Sequence, residues 1–348
     1  MKSEVFFVPL DSHADNTLRS DAGKKVLAKL LEKSGVPAPE VPLKLHFGER
    51  GNRTYLPAEV YNGMIELLEN SGSKTFFAET SVLYGGERFQ ADKHIALAKS
   101  HGFTRLPVVI ADGSNGEDAS DVPVANGRYF KTAAIGRVLA EAEQVLVVSH
   151  FKGHMLAGFG GAVKQLSMGF ASKGGKMAMH FNVKPRIRKW KCRACGLCAK
   201  RCNADAIIRE EKKYRIDHSK CIGCGACFSI CPHHAVSVFT WEGIRNALFG
   251  KRDFRRKLVE YAFAAHSGKK HLYVTFVVNV TPGCDCEPRP MRKCVPDIGV
   301  FASLDPVALD SACYDAVKSA GKRFKGHEQL EYAEKIGLGS REYELICL

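Results

Sequence analysis

Short, continuously apolar runs alternate with amphipathic stretches over the first 150 residues. The apolar runs predict strands at residues 4–10, 43–47, 74–79, 108–111 and 145–148. The amphipathic stretches predict helices at residues 21–34, 57–71 and 89–101. Apolar strands separated by helices are typical of a mostly parallel sheet with helices on both faces, so the predicted fold class is α/β.

The same pattern resumes late in the chain. Residues 241–266 predict a long helix with a basic outer face, residues 272–280 a strongly apolar strand, and residues 327–348 a helix followed by an irregular tail. Because neither half has a self-contained core pattern, we expect residues 1–185 and 241–348 to form one α/β domain. A small α+β module at residues 186–240 would then interrupt it.

The expected insert contains an internal duplication with an offset of 29 residues. Lys191-Cys-Arg-Ala-Cys-Gly-Leu-Cys198 recurs as Lys220-Cys-Ile-Gly-Cys-Gly-Ala-Cys227, and a fourth cysteine follows each run. This spacing resembles that of two-cluster bacterial ferredoxins, in which the fourth cysteine ligates the other [4Fe-4S] cluster. The predicted ligand sets are Cys192, Cys195, Cys198 and Cys231 for one cluster, and Cys221, Cys224, Cys227 and Cys202 for the second. Zinc, or clusters with a purely structural role, are the alternatives.

The charge of the chain bears on its partners. The formal net charge is +14, and residues 184–220 contain 13 Lys or Arg against 4 Asp or Glu. Each cluster would add about two negative charges, which leaves a basic protein. We therefore expect an acidic electron carrier of the ferredoxin or flavodoxin type as partner, with a merely solvated basic face as the alternative. Nucleic acid is less favoured, because no RNA-binding fold or aromatic stripe accompanies the charge.

The location and assembly of the chain follow from weaker signals. Residues 1–9 include an acid and a proline where a secretory signal would be apolar, and no apolar stretch approaches the roughly eighteen residues of a membrane span. We expect a cytoplasmic protein without membrane insertion, in which clustered thiols bind metal rather than form disulfides. A homodimer is compatible with the sequence.

A loop rich in Gly, His and Lys follows the strand predicted at residues 145–148. Ligands of open α/β sheets bind beyond the carboxyl ends of the strands. The candidate catalytic residues there are His150, Lys152, His154 and Lys164. The candidate cofactor-binding residues are Gly158, Gly160 and Gly161, whose amides could face an anion, and His180. Structural histidines are the alternative.

Three cysteines follow the late strand: Cys284, Cys286 and Cys294. They could hold a third metal or cluster with one coordination position open to substrate. The alternative is three reduced thiols in a loop.

Several short sequence motifs together resemble those of the domain-of-unknown-function 362 family. They are His46-Phe-Gly-Glu-Arg-Gly51, His150-Phe-Lys-Gly-His154, Gly160-Gly-Ala-Val-Lys164, Pro282-Gly-Cys-Asp-Cys286 and residues 297–307. The resemblance covers nearly the whole chain and implies an iron–sulfur protein without a settled reaction. Residues 160–169 alone are similar to lactate racemases, which implies an organic or metal cofactor near Lys164.

The function expected from these features is electron transfer through two [4Fe-4S] clusters to a small-molecule substrate or cofactor bound in the α/β domain. The chain would then be a ferredoxin-dependent oxidoreductase, suited to anaerobic conditions. No GxGxxG fingerprint follows a strand, which argues against an integral nicotinamide site. A non-enzymatic carrier or adaptor between redox proteins is the alternative, and a nucleic-acid-binding iron–sulfur protein comes last.

Overall fold

The structure is a computed structural model, and it describes residues 2–181, 185–202, 205–221, 226–237 and 250–348. Its strands are β1 (Ser3–Pro9), β2 (Glu40–Lys44), β3 (Lys74–Glu79), β4 (Val108–Ile110), β5 (Ala119–Pro123), β6 (Thr132–Gly136), β7 (Leu146–His150), β8 (Lys152–His154), β9 (Gly158–Gly160), β10 (Arg186–Ile187), β11 (Ile207–Glu210), β12 (Lys213–Ile216), β13 (Val236–Ser237), β14 (Leu272–Val277), β15 (Gly299–Ser303) and β16 (Tyr343–Cys347).

The helices in the described ranges are α1 (Asn16–Ser34), α2 (Asn62–Asn70), α3 (Ala91–Ser100), α4 (Arg137–Glu141), α5 (Ala162–Ser167), α6 (Lys173–Phe181), α7 (Leu197–Lys200), α8 (Ala226–Ile230), α9 (Lys251–His266), α10 (Pro306–Ser319) and α11 (Glu328–Lys335). Two 3-10 helices cover Ala58–Tyr61 and Glu87–Phe89. None of the helices in these ranges combines the length and the apolar character that a membrane crossing requires.

Eight strands form one sheet in the order β16-β1-β15-β14-β7-β2-β3-β4. All neighbours are parallel except β15, which pairs antiparallel with both β1 and β14. Strands from both sides of the cysteine-rich region meet in this sheet, because β14 pairs with β7. The predicted α/β class with a mostly parallel sheet is therefore confirmed.

Successive residues of the central strands face opposite sides of the sheet, and each side is covered by helices. In β7, Val147 belongs to one core and Leu146 and Val148 to the other. Helices α1 and α2 pack over the second core, whereas α5, α9 and α10 pack over the first. This two-sided burial explains why the strands read as continuously apolar.

Helix α1 begins five residues earlier than its apolar pattern predicts. The Asp15 carboxylate caps it by accepting a hydrogen bond from the Leu18 amide at 2.8 Å. Arg19, in the extra turn, donates to Asp297 at 2.8 Å in a buried ion pair. The polar first turn therefore belongs to the helix because tertiary contacts hold it.

Several predictions of elements were wrong in detail. The predicted irregular tail contains β16, which extends the sheet beside β1, and β15 was not predicted. The second strand covers Glu40–Lys44 rather than residues 43–47. The long helix predicted at residues 241–266 is described only as α9, because residues 241–249 lie outside the described ranges.

Candidate functional site

The carboxyl ends of β2, β3, β7 and β14 meet at one edge of the sheet, where a cavity of about 130 Å³ opens. Its wall contains charged, aromatic and sulfur-bearing side chains from seven separate parts of the chain. They include His46, Glu79, Tyr84, Arg88, His154, Lys164, Lys176, His180, Phe254, Cys284 and Cys286. Four candidates from the sequence, His154, Lys164, His180 and the Cys284–Cys286 pair, thus surround one space.

The two cysteines differ in protonation. A hydrogen bond from the Cys286 thiol, helped by the Lys164 ammonium, lowers the pKa of Cys284 well below its usual value, although burial opposes this. The same bond raises the pKa of Cys286. The Lys164 Nζ lies 3.9 Å from the Cys284 sulfur. The pair is therefore a thiolate at Cys284 and a thiol at Cys286, with a cation beside the thiolate.

A buried ionic triad stands beside this pair. Asp285 accepts hydrogen bonds from Lys152 and from Nδ1 of His150, the latter at 2.9 Å. Burial alone would raise the pKa of Asp285, but the charges of Lys152 and His150 lower it well below its usual value. Nε2 of His150 donates to the Val278 carbonyl at 2.7 Å, so both ring nitrogens face acceptors. Both ring nitrogens of His150 thus have protein partners, which leaves neither of them free for a metal.

Two more ion pairs build the opposite wall. Lys44 and Glu79, at the ends of β2 and β3, approach to 2.8 Å and are both buried. Arg88 donates to Glu49 at 3.1 Å and lies 2.8 Å from Nε2 of His46. Paired in this way, the charges can remain buried next to the cavity.

The two remaining histidines are neutral. Burial lowers the pKa of His154 well below its usual value, and its Nδ1 accepts the amides of Leu156 and Ala157 at 3.2 and 3.0 Å. Nε2 of His154 therefore carries the hydrogen. Burial lowers the pKa of His180 to about 4. Both histidines can accept or donate hydrogen bonds in the cavity without adding positive charge.

The glycines of this loop permit close approach of other groups. A side chain at Gly161 would collide with the carboxylate of Asp310, which accepts the amides of Ala162 and Val163 at 2.7 and 3.0 Å. Gly158 has φ +91° and touches the backbone of Lys325, and Gly160 lies against the Lys164 side chain. The amides after Gly161 already have a protein acceptor, so the predicted anion-binding role of these glycines stays a prediction.

The duplication in the cysteine segment (residues 185–237) recurs in the backbone. The Ala206 amide donates to the Cys202 sulfur at 3.2 Å, and the Ala235 amide, 29 residues later, donates to the Cys231 sulfur at 3.3 Å. These are the cysteines that follow each closely spaced run. Amides that donate hydrogen bonds to sulfur stabilise thiolates. In iron–sulfur proteins they also influence the reduction potential of the cluster.

A second pair of bonds repeats at the start of each half. The Cys192 amide donates to the Arg188 carbonyl at 3.1 Å, and the Cys221 amide donates to the Asp217 carbonyl at 3.0 Å, again 29 residues later. In their described residues, the two halves thus share two matching pairs of hydrogen bonds.

Cys198 of the first predicted ligand set is influenced by the other three cysteines of that set. Burial raises the pKa of Cys198, and the nearby charges of Cys231, Cys192 and Cys195 raise it further. Cys198 therefore lies near both the cysteines of its own run and the last cysteine of the other half. In the second set, Cys224 lies outside the described residues.

Metal geometry is not preformed at these positions. Within the described ranges, no group of three or more His, Cys, Asp or Glu side chains is arranged to hold a metal ion. Cys294, the third member of the possible additional site, donates to the Val280 carbonyl at 3.2 Å. The metal predictions for both regions therefore remain predictions.

Sequence reasoning missed four residues that line the cavity, His46, Glu79, Arg88 and Lys176, and also Asp285 beside it. Some had a recognisable signal. Lys44, the partner of Glu79, interrupts the apolar run Val41-Pro-Leu-Lys-Leu45, and a charge there must find a partner at a strand end. Arg88 had no such signal, because it lies on a short 3-10 helix in a polar loop.

The fold and site together define an α/β protein with an open, mostly parallel sheet and a buried, charged cavity at its carboxyl edge. The family model described as "Domain of unknown function (DUF362)" matches residues 41–315, and the chain belongs to this family, as its sequence strings predicted. No curated protein matches the chain.

Two solved structures are similar to the chain at low identity. The lactate racemase apoprotein from Thermoanaerobacterium thermosaccharolyticum has 13% identity and a TM-score of 0.38, over 78% of this chain and 50% of that chain. A structural-genomics target from Thermotoga maritima has 10% identity and a TM-score of 0.46, over 89% of this chain and 60% of that chain. The chain thus spans 50% and 60% of the lengths of these two proteins.

Proposed function

We propose that this chain is an iron–sulfur electron-transfer protein that serves a small acceptor bound in the cavity at the sheet edge. Cys192, Cys195, Cys198 and Cys231 would hold one [4Fe-4S] cluster, and Cys221, Cys224, Cys227 and Cys202 the other. Such clusters, when bound, supply single electrons at low potential. The proposal makes the chain a ferredoxin-dependent oxidoreductase with an unidentified substrate.

The repetition of sulfur-directed hydrogen bonds at the 29-residue offset carries the proposal. A zinc ribbon needs four ligands in one site, whereas this segment offers two matched halves with eight cysteines. The proximity of Cys198 to Cys231 of the other half supports crossed ligation rather than two separate local sites. The donor set therefore suits two cubane clusters better than one tetrahedral ion.

The position of the cysteine segment relative to the cavity supports delivery of electrons there. Helix α8, which contains Cys227, packs against α6. Two side chains of α6, Lys176 and His180, line the cavity. One helix, α6, therefore contacts both the helix that contains Cys227 and the cavity in which an acceptor would bind.

The cavity residues suit reduction of a polar group. The Lys164 ammonium can neutralise negative charge on the acceptor, because neighbouring sulfur and carboxylate charges raise its pKa despite its burial. His154, with hydrogen on Nε2, can donate a hydrogen bond to the same group. The Asp285 triad fixes the loop that carries the Cys284 thiolate.

The experiment that tests the proposal is anaerobic purification followed by iron and sulfide analysis and EPR of the reduced protein. We expect about eight irons and eight acid-labile sulfides per chain. Cys198→Ser should lower the iron content and change the EPR signal, whereas Cys347→Ser, at an exposed cysteine outside the segment, should leave both unchanged. A colourless preparation without sulfide would refute the proposal.

The same analysis tests a third metal site. If Cys284, Cys286 and Cys294 bind iron, their joint replacement by Ser should reduce the iron count while the signals of the first two clusters persist.

A Lys164→Met variant distinguishes an oxidoreductase from a protein that only carries electrons. It should leave reduction of the clusters by an external donor intact and affect only an acceptor bound in the cavity.

A further inference from the structure

A second, wider cavity of about 550 Å³ opens at the surface and is strongly basic. Eleven of the residues that the structure describes line it; six of these are Lys or Arg, and none is Asp or Glu. The basic residues are Lys251, Arg252, Arg255, Lys322, Arg323 and Lys325. We call this cavity the basic groove.

The basic side chains converge from separate parts of the chain. Lys251, Arg252 and Arg255 belong to the first turns of α9, whereas residues 322–325 form the loop between α10 and α11. Convergence of like charges in a concavity is unfavourable unless an anion offsets it. A solvated basic face would instead spread its charges along one convex surface.

Nearby acidic groups already have partners. Asp253 accepts a hydrogen bond from the Tyr129 hydroxyl at 2.6 Å, and Glu328 pairs with Arg255. Arg255 is buried and also donates to the Leu156 carbonyl at 3.0 Å. Arg255 is thus held in place by the protein, while the other five basic side chains of the groove have no carboxylate partner among the described residues within ion-pair distance.

The basic groove adjoins the inner cavity. His154 lines both spaces. Pro282 lines the groove, and Cys284, two residues later, lines the inner cavity. The basic groove and the inner cavity therefore share His154 as a lining residue.

We propose that the basic groove binds the phosphate end of a phosphorylated small molecule. The volume lies in the range of small-ligand sites, whereas a macromolecular partner would need a wider surface. Lys and Arg clusters in a concave site favour compact anions with several acceptor oxygens. Assigning this molecule as the electron acceptor rests on the proposed function, but its binding does not.

Isothermal titration with inorganic pyrophosphate tests the groove directly. We expect saturable binding that weakens as NaCl rises from about 0.05 to 0.3 M, because salt screens the attraction. Arg252→Gln/Arg323→Gln removes two exposed charges from the groove and should weaken binding about tenfold or more. The matched control Lys25→Gln/Lys335→Gln removes two exposed charges elsewhere and should bind like the wild type. Thermal unfolding checks that both variants fold.

Three results would overturn the inference. They are absence of pyrophosphate binding, equal weakening in the control variant, and tighter binding of a decaglutamate peptide that the groove substitutions abolish. The last would assign the groove to an acidic protein instead. Iron analysis of the same samples distinguishes failure of the groove proposal from failure of the electron-transfer proposal. Protein with full clusters that does not bind pyrophosphate overturns only this inference, and iron-free protein that binds it overturns only the electron-transfer proposal.

Discussion

The cysteine segment and the sheet domain reach their structures by different means. In the described part of the cysteine segment, the core contains four buried residues, Cys198, Ile207, Cys227 and Val236, two of which are predicted metal ligands. The sheet domain has two extensive apolar cores. So small a core rarely stabilises a fold without metal or disulfides. We therefore expect the cysteine segment to depend on the proposed ligation for its stability, whereas the sheet domain and its cavity should not.

The largest predicted effect follows from removing iron. In metal-free protein, amides of the cysteine segment should lose hydrogen-exchange protection, because ligation supplies most of its stability. Amides of β7 and β14, buried in the sheet, should keep theirs. Hydrogen-exchange mass spectrometry of matched iron-loaded and iron-free samples measures both. Equal protection of the segment in the two samples would contradict the dependence on ligation.

The sheet domain should instead be sensitive to its buried charges. Asp285→Asn leaves the buried Lys152 ammonium without a counter-charge, and we expect the free energy of unfolding to fall by about 3–5 kcal/mol. Urea unfolding measures the change. Asp121→Asn, at an exposed position of β5, is the matched control and should have little effect.

Adding Lys152→Met to Asp285→Asn tests the cause. Lys152→Met removes the charge that has lost its partner. It should therefore lower the free energy of unfolding less in the Asp285→Asn background than in the wild type. If Lys152→Met lowers the free energy of unfolding by the same amount in the wild type and in Asp285→Asn, Lys152 and Asp285 do not interact.

These two regions also differ in how far the sequence predicts them. For the cysteine segment the spacing predicts the ligand sets, because cluster ligation imposes a fixed local pattern, and these sets stay a prediction. The sheet class followed from the apolar runs. The pairs of the cavity could not be predicted, since Lys152 and Asp285 are 133 residues apart and meet only through the sheet order. Strand β16 was missed because it is short and only partly apolar, as in Tyr343-Glu-Leu345, which suits an edge strand that needs β1 as its partner.

Acidification should weaken the sheet domain by a mechanism independent of iron. Burial lowers the pKa of His271 to about 3, against about 6.5 in an unfolded chain. The unfolded state therefore binds one more proton between these values, and stability is lost as the pH falls below about 6.5. The expected slope is about 1.4 kcal/mol per pH unit.

His271→Gln should remove this slope while keeping the local hydrogen bonds. Its amide can accept from the Val145 amide and donate to the Ala265 carbonyl, as the imidazole does at 3.1 and 3.0 Å. Urea unfolding at pH 6.5, 5.5 and 4.5 compares the variants. His13→Gln, at an exposed residue, should keep the wild-type slope. An unchanged slope in His271→Gln would assign the acid sensitivity to other groups.

The smallest effect concerns the reactivity of the Cys284 thiolate. Cys286→Ala removes the hydrogen bond that contributes most to the low pKa of Cys284, and Lys164→Met removes the adjacent positive charge. Both substitutions should raise the pKa of Cys284 and slow its alkylation at neutral pH, with the larger change in Cys286→Ala. Rates of iodoacetamide labelling between pH 5 and 9 are measured at Cys284 by peptide mass spectrometry. The pH midpoint of these rates reports the ionisation of the Cys284 thiol. Cys294→Ala should not move it, because Cys294 bonds to the Val280 carbonyl instead. If the midpoint stays the same in Cys286→Ala, the two sulfurs of the cavity act independently, and the thiolate of the sheet domain does not depend on the neighbouring thiol.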